Sequence, residues 1–108
     1  MELLHLNDQN FDENVFNIKG TVVVDFFATW CGPCRMLAPV LEEVQEEMAD
    51  QIKIVKVDVD DAEKVSKRYG IMSIPTLVVL KDGQEVDRLV GFRPKHDLVE
   101  ILGNYTKK

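Results

Sequence analysis

Cys31 and Cys34 are the only cysteines in the chain, and Gly32 and Pro33 alone separate them. A thiol attacks as its thiolate, which is favoured just ahead of a helix by unpaired backbone N–H groups and by the positive end of the helix dipole. Pro33 sits where a first-turn proline would, and apolar residues recur at helical spacing behind it, so Cys31 falls at that helix start. Cys34 then lies inside the first turn, where an i, i+3 relation brings its sulfur near Cys31 while helix and sheet cover it. The expectation is an exposed Cys31 and a sheltered Cys34. Such a pair exchanges disulfides in two steps: Cys31 attacks a substrate disulfide, and Cys34 resolves the mixed disulfide intramolecularly. The spacing also suits a structural disulfide, half of a zinc site or two inert thiols. Zinc takes about four ligands, and the other soft candidates, His5 and His96, stand at opposite ends of the chain. Each histidine reads as a surface residue, and no metal site is expected.

Asp25 is the one acidic residue in the otherwise apolar run Thr21–Phe27. A carboxyl there is costly unless it is neutral, hydrogen-bonded or used. Burial would raise its pKa toward the working pH, which suits a group that accepts the Cys34 proton, although mere structural polarity fits the pattern too. Lys56, on a neighbouring strand candidate, either faces Asp25 and moderates its charge or is a solvated lysine. Trp30, the sole tryptophan, either offers substrate an aromatic platform beside the nucleophile or belongs to the core. Gly32 and Pro33 should influence, through stiffness and small size, how easily the pair is reduced.

The elements that must position these residues alternate between strand-like and helix-like periods, which implies α/β layering. Residues 3–6 form a short strand candidate, and Asn7 or Asp8 offers an N-cap for a short helix carrying Phe11, Val15 and Phe16. Thr21–Phe27 reads as a central strand covered on both faces. The helix behind the cysteines carries Met36, Leu37, Val40, Leu41, Val44 and Met48 on its apolar side, with Pro39 bending but not ending it. A strand over 52–59 and a short helix over 62–69, stopped by Gly70, complete a βαβ unit. Residues 76–80 and 85–90 flank a Lys81, Asp82, Gly83 turn as an antiparallel hairpin. A last helix over 95–105 turns Leu98, Val99, Ile101 and Leu102 inward. The order is β-α-β-α-β-α-β-β-α: a mixed five-stranded sheet flanked by four helices in three α/β/α layers.

With 108 residues, 45% hydrophobic and 30% charged, the chain has the size and composition of one folded domain spanning 1–108, and not of a disordered or disulfide-stapled scaffold. Nineteen acidic against thirteen basic side chains give a net charge of −6, which disfavours nucleic acid and anionic membranes as partners. The N-terminus lacks a basic, then apolar, then small-residue export pattern, and no apolar stretch is long enough to span a bilayer. A cytoplasmic location is expected.

From residue 3 to about residue 105 the sequence resembles the thioredoxin family, in its bacterial form. The resemblance rests on Asp25 within its apolar strand, on the run Trp30, Cys31, Gly32, Pro33, Cys34, and on Ile74, Pro75, Thr76. It implies the thioredoxin fold and a lowered Cys31 pKa, which is a documented property of that family's C-x-x-C pair. It also implies that Asp25 accepts the Cys34 proton. By the same resemblance, Ile74–Pro75 is a cis bond whose proline packs beside the sulfurs, and the Ile74 backbone pairs with an incoming substrate strand. From residues alone Pro75 could equally be a trans proline at a strand start. Gly91 would lie on the far rim of the same groove, unless it is simply a strand-end glycine. A Gly-Pro pair between the cysteines resembles the reducing branch of the family. Phe27, Arg35 and Met72 depart from the commonest bacterial pattern, and Met72 with Phe92 and Arg93 would alter the groove's rim.

The expected activity is protein-disulfide reduction and electron carriage by a monomer acting on disulfide-containing client proteins. No nucleotide or flavin fingerprint is present, so no cofactor is expected, and a separate thioredoxin reductase would return the electrons. The alternatives are an oxidase or isomerase on the same fold, or a non-catalytic binding module using the groove around Trp30, Pro75 and Gly91.

Overall fold

A computed structural model describes residues 2–106. The elements run β1 (Leu4–Leu6), α1 (Phe11–Val15), β2 (Thr21–Phe27), α2 (Gly32–Glu47), β3 (Ile52–Asp58), α3 (Glu63–Arg68), β4 (Thr76–Lys81), β5 (Gln84–Val90) and α4 (Lys95–Gly103). The expected order and element types are all present. The five strands form one sheet in the order β1-β3-β2-β4-β5. β3 pairs in parallel with both β1 and β2, whereas β4 runs antiparallel to β2 and β5.

β2 lies at the centre because every one of its residues is buried, which only a strand with neighbours on both edges and helices on both faces can accommodate. Side chains alternate across it. Val23, Ile54, Leu77 and Val79 pack with Leu37, Leu41 and Val44 of α2 and Leu98 and Leu102 of α4. Val22, Val24, Phe26, Val55 and Val78 pack on the other face with Phe11 and Val15 of α1 and Ala62 and Val65 of α3. The expected α/β/α layering follows directly from this division.

α2 continues through Pro39 to Glu47. The proline supplies no N–H to the turn before it, but Leu41 and Val44, beyond it, are fully buried and keep the helix on the sheet. Met36 is exposed, contrary to its placement on the apolar side, because Cys34, Leu37, Leu41 and Val44 occupy the sheet-facing positions. The β4–β5 turn places Asp82 at φ 51° and Gly83 at φ 85°, the two consecutive positive values that a tight hairpin turn demands. Among the described residues no helix is long and apolar enough to cross a membrane.

The expected N-cap also lands elsewhere. Asn10 holds the N-cap position of α1 without a side-chain bond to the helix. Asn7 accepts hydrogen bonds from the backbone N–H groups of Gln9 and Asn10, closing the loop ahead of that helix. Asp8 instead reaches α3: its Oδ1 accepts from the Val65 N–H at 3.0 Å and its Oδ2 from the Lys64 N–H at 3.3 Å. Ala62, the N-cap residue of α3, has no side chain able to do this, so a carboxylate distant in sequence satisfies the helix's free donors. Asp8→Ala should lower stability by about 1 kcal/mol, the usual cost of a lost cap, seen as a lower urea midpoint at unchanged slope. An unchanged midpoint would remove Asp8 as the cap of α3.

Candidate active site

The parallel strands β2 and β3 both deliver their C-terminal ends to one edge of the sheet, where β4 begins and β5 finishes. Four chain segments meet there: the β2–α2 connection, the loop leaving β3, the loop entering β4, and the loop leaving β5. Cys31 is the N-cap residue of α2, and its sulfur accepts a hydrogen bond from the Cys34 N–H at 3.2 Å. That bond and the helix dipole favour negative charge on the Cys31 sulfur. Cys31 and Cys34 are joined as a disulfide.

Burial corrects one expectation. Cys31 is only 5% exposed and Cys34 3%, so in this oxidised form both are buried. Cys31 and Cys34 pack with Phe27, Ala28, Val59 and Ile74 in a small apolar cluster at the sheet edge. The asymmetry between the sulfurs is electrostatic: Cys31 caps the helix, while Cys34 lies within its first turn.

Ile74–Pro75 is a cis peptide bond. The Ile74 carbonyl oxygen lies 3.9 Å from the Cys31 sulfur, and the Ile74 N–H meets no acceptor among the described residues. Pro75 is buried, and its carbonyl accepts from the Gly91 N–H at 2.8 Å, which ties the end of β5 to the start of β4. Gly91 has φ +92°, a conformation that strains any L side chain, although a Cβ there would meet no atom. Its glycine answers to backbone geometry.

Trp30 is 66% exposed, which excludes the core role. Its indole N–H donates to Asp60 Oδ2 at 2.8 Å, and the Asp60 N–H donates to Asp58 Oδ1. Asp60 was invisible as a site residue in the sequence, because nothing in the acidic stretch after β3 marks which carboxylate meets the indole. Position 32 is open to a larger side chain, so packing does not demand Gly32. Pro33 lies in the first turn of α2, as expected. Arg35 donates to the Thr29 carbonyl. Met72, 96% exposed, and Phe92, which is also exposed, stand near the two loops that frame the groove.

Asp25 lies on β2 between Val23, which shares a core with Leu37 and Leu41, and Phe27, which shares a cluster with Cys34. Its side chain therefore faces the first turns of α2. Neither carboxylate oxygen receives a hydrogen bond. Lys56, its register partner on β3, places Nζ 3.8 Å from Asp25 Oδ2. Burial pushes the Asp25 pKa up to about 6, and the Lys56 charge offsets only part of that rise. Lys56 also lines, with Cys34, Arg35, Phe27 and Ala38, a cleft of about 290 Å³. The structure thus places Cys31, Cys34, Ile74, Pro75 and Gly91 at one end of the sheet, with Lys56 on the adjoining cleft, while His5 and His96 form no metal cluster among the described residues.

The sequence profile of the thioredoxin family matches residues 2–104. The chain is 50% identical over 105 residues to a thioredoxin of Bacillus subtilis, covering 97% of this chain and 99% of that one. It is 49% identical over 100 residues to a thioredoxin of Listeria monocytogenes, covering 93% and 95%. Against a thioredoxin of Staphylococcus aureus the identity is 48% over 105 residues, covering 97% and 99%.

The raised Asp25 pKa makes stability depend on pH. A folded-state pKa of about 6 above the ordinary 3.8 means that folding favours the protonated carboxyl. That stabilisation is complete below about pH 4 and is lost as pH rises through about 6. A difference of roughly two units corresponds to on the order of 3 kcal/mol. Asp25→Asn cannot titrate, so its stability relative to the wild type should improve by that order between pH 4 and pH 8, measured by guanidinium unfolding of the oxidised proteins. A difference that stays constant with pH would show that the carboxyl is not held in a desolvated site.

Proposed function

The chain belongs to the thioredoxin family and is a thiol-disulfide oxidoreductase, and on that footing we propose that it works as a protein-disulfide reductase and electron carrier. Its substrates are disulfides. In the proposed cycle the reduced enzyme attacks with the Cys31 thiolate, breaking the substrate S–S bond and releasing one substrate thiolate. Cys34 then gives its proton to the Asp25 carboxylate and attacks the Cys31 sulfur. The second substrate thiolate leaves and takes up a proton, and the enzyme is left with the Cys31–Cys34 disulfide. Two electrons have passed to the substrate. Tethering is what makes the second step fast, since well-oriented intramolecular groups reach effective molarities on the order of 10⁵ M.

The observation that carries this reading is the Cys34 N–H bonded to the Cys31 sulfur at the start of α2. It supports Cys31 as the thiolate and leaves Cys34, within the first turn, as the resolving group. Asp25, with a pKa of about 6, is mostly ionised at neutral pH and so is available as an acceptor. Lys56 moderates its charge, and Gly32 and Pro33 tune the ease of reduction. For substrate binding, the free Ile74 N–H beside Cys31 supports pairing with an extended client segment. Pro75 and Gly91 form the walls of that groove, and Trp30 supplies an apolar platform.

The partners we assign are disulfide-containing client proteins and a thioredoxin reductase as electron donor, with no cofactor of the chain's own. We place the protein in the cytoplasm, as a monomer made of a single thioredoxin domain over 1–108. In an insulin-type disulfide reduction assay, Cys31→Ser should lose all turnover, whereas Cys34→Ser should accumulate a mixed disulfide detectable by mass. Turnover surviving in Cys31→Ser would overturn the assignment of the nucleophile. Equilibration with glutathione checks direction: a reductase poise leaves the pair largely disulfide-bonded at glutathione ratios that would leave an oxidase's pair reduced.

A further inference from the structure

Two groups of different kinds hold the Lys56 ammonium. It lies 3.8 Å from Asp25 Oδ2 and 4.3 Å from the centroid of the Phe27 ring. The first separation is an ion pair longer than a hydrogen bond, so no directional bond fixes the ammonium on the carboxylate. The second falls within the range in which a cation is attracted to an aromatic face, and the attraction grows when the pair is withdrawn from water. The Lys56 side chain is only 12% exposed.

We propose that Phe27 is a positioning residue for Asp25: its ring keeps the Lys56 ammonium beside the carboxylate and thereby governs how readily Asp25 exchanges a proton. The proposal rests on the reading of Asp25 as the acceptor for Cys34. Asp25 and Phe27 are two residues apart on β2 and so point to the same face. Lys56 pairs with Asp25 in register, and its chain bends toward the Phe27 row. His5, the β1 register partner of Lys56, meets the Phe27 ring edge-on at 5.5 Å and 89°, which gives the ring a second contact.

The remaining charged or titratable groups around this trio are Asp58 of β3 and Arg35 of α2, with Cys34 held in the disulfide, while β4 places Leu77 opposite Asp25. The Asp58 carboxylate accepts the Asp60 N–H. Arg35 shares the cleft with Lys56, but its guanidinium donates to the Thr29 carbonyl. Without the ring, repulsion from Arg35 and the open cleft would draw the ammonium toward water. Asp25 would then lose its neighbouring positive charge, and its ionised form would become harder to hold.

The test is the pH titration of the Asp25 carboxyl carbon by NMR in the oxidised protein. Phe27→Leu should raise the midpoint by about one pH unit, the worth of a partly buried cation–ring contact, whereas Phe27→Trp should not raise it. In a Lys56→Met background, Phe27→Leu should leave the midpoint unmoved. An equal rise in both backgrounds would mean that the ring acts by packing alone and would overturn the proposal, as would no rise with the lysine present. Should leucine disturb the fold, a pentafluorophenylalanine at position 27 keeps the shape and reverses the charge distribution of the ring. The midpoint should then rise, and an unmoved one would overturn the proposal. The titration does not depend on what the proton is used for. If Asp25→Asn releases the mixed disulfide as fast as the wild type, the acceptor reading fails separately.

Discussion

The Asp25 carboxyl lies in a strand buried along its whole length, and neither of its oxygens receives a hydrogen bond. Taking a carboxylate out of water costs several kcal/mol unless it is paired or neutralised. The molecule meets that constraint with a single nearby ammonium at ion-pair distance and with a pKa of about 6, so the group is mostly ionised at neutral pH yet its protonated form lies within easy reach. A directly hydrogen-bonded carboxylate would stay ionised, and a fully isolated one would stay protonated. The intermediate arrangement is what permits a proton to arrive and leave.

Much of the architecture can be read as what keeps Asp25 in that state. β2 is central, so its backbone is paired on both sides and its two faces are covered by different helix pairs. The crossover from β2 through α2 to β3 sets the helix N-terminus at the edge where both parallel strands end, above the carboxyl. That crossover thus supplies Cys31 at the helix start, Cys34 in the first turn and, through β3, the lysine. The antiparallel half adds the other wall. Pro75 opens β4, Gly91 follows β5, and one backbone hydrogen bond locks them together beside the disulfide.

Sequence and structure agree closely on the elements, because the switches of hydrophobic period and the turn residues are local signals. Thr21–Phe27, the hairpin turn at Asp82 and Gly83, and the helix stop at Gly70 were all readable this way. The disagreements involve residues whose partners are distant. Asp8 carries the right chemistry for a cap, yet it caps α3 and not the helix beside it. Met36 follows the helical spacing, yet four other residues already fill the face toward the sheet. Cys31 is buried because its sulfur packs against Ile74, a residue 43 positions away.

What the sequence determined by itself was the chemistry: a thiol pair at a helix start, a carboxyl inside an apolar strand, and the family that these and the Ile74, Pro75, Thr76 run resemble. Residue type and short-range spacing suffice for that, since a thiol's reach and a helix's first turn span only a few residues. Only the tertiary structure decided how the groups influence one another. That Lys56 stands beside Asp25, that the Phe27 ring, itself touched by His5, lies against the ammonium, and that Asp60 anchors Trp30 all depend on strand register and loop approach. Register is set by the packing of whole faces, and electrostatic coupling falls with distance through space, whatever the separation along the chain.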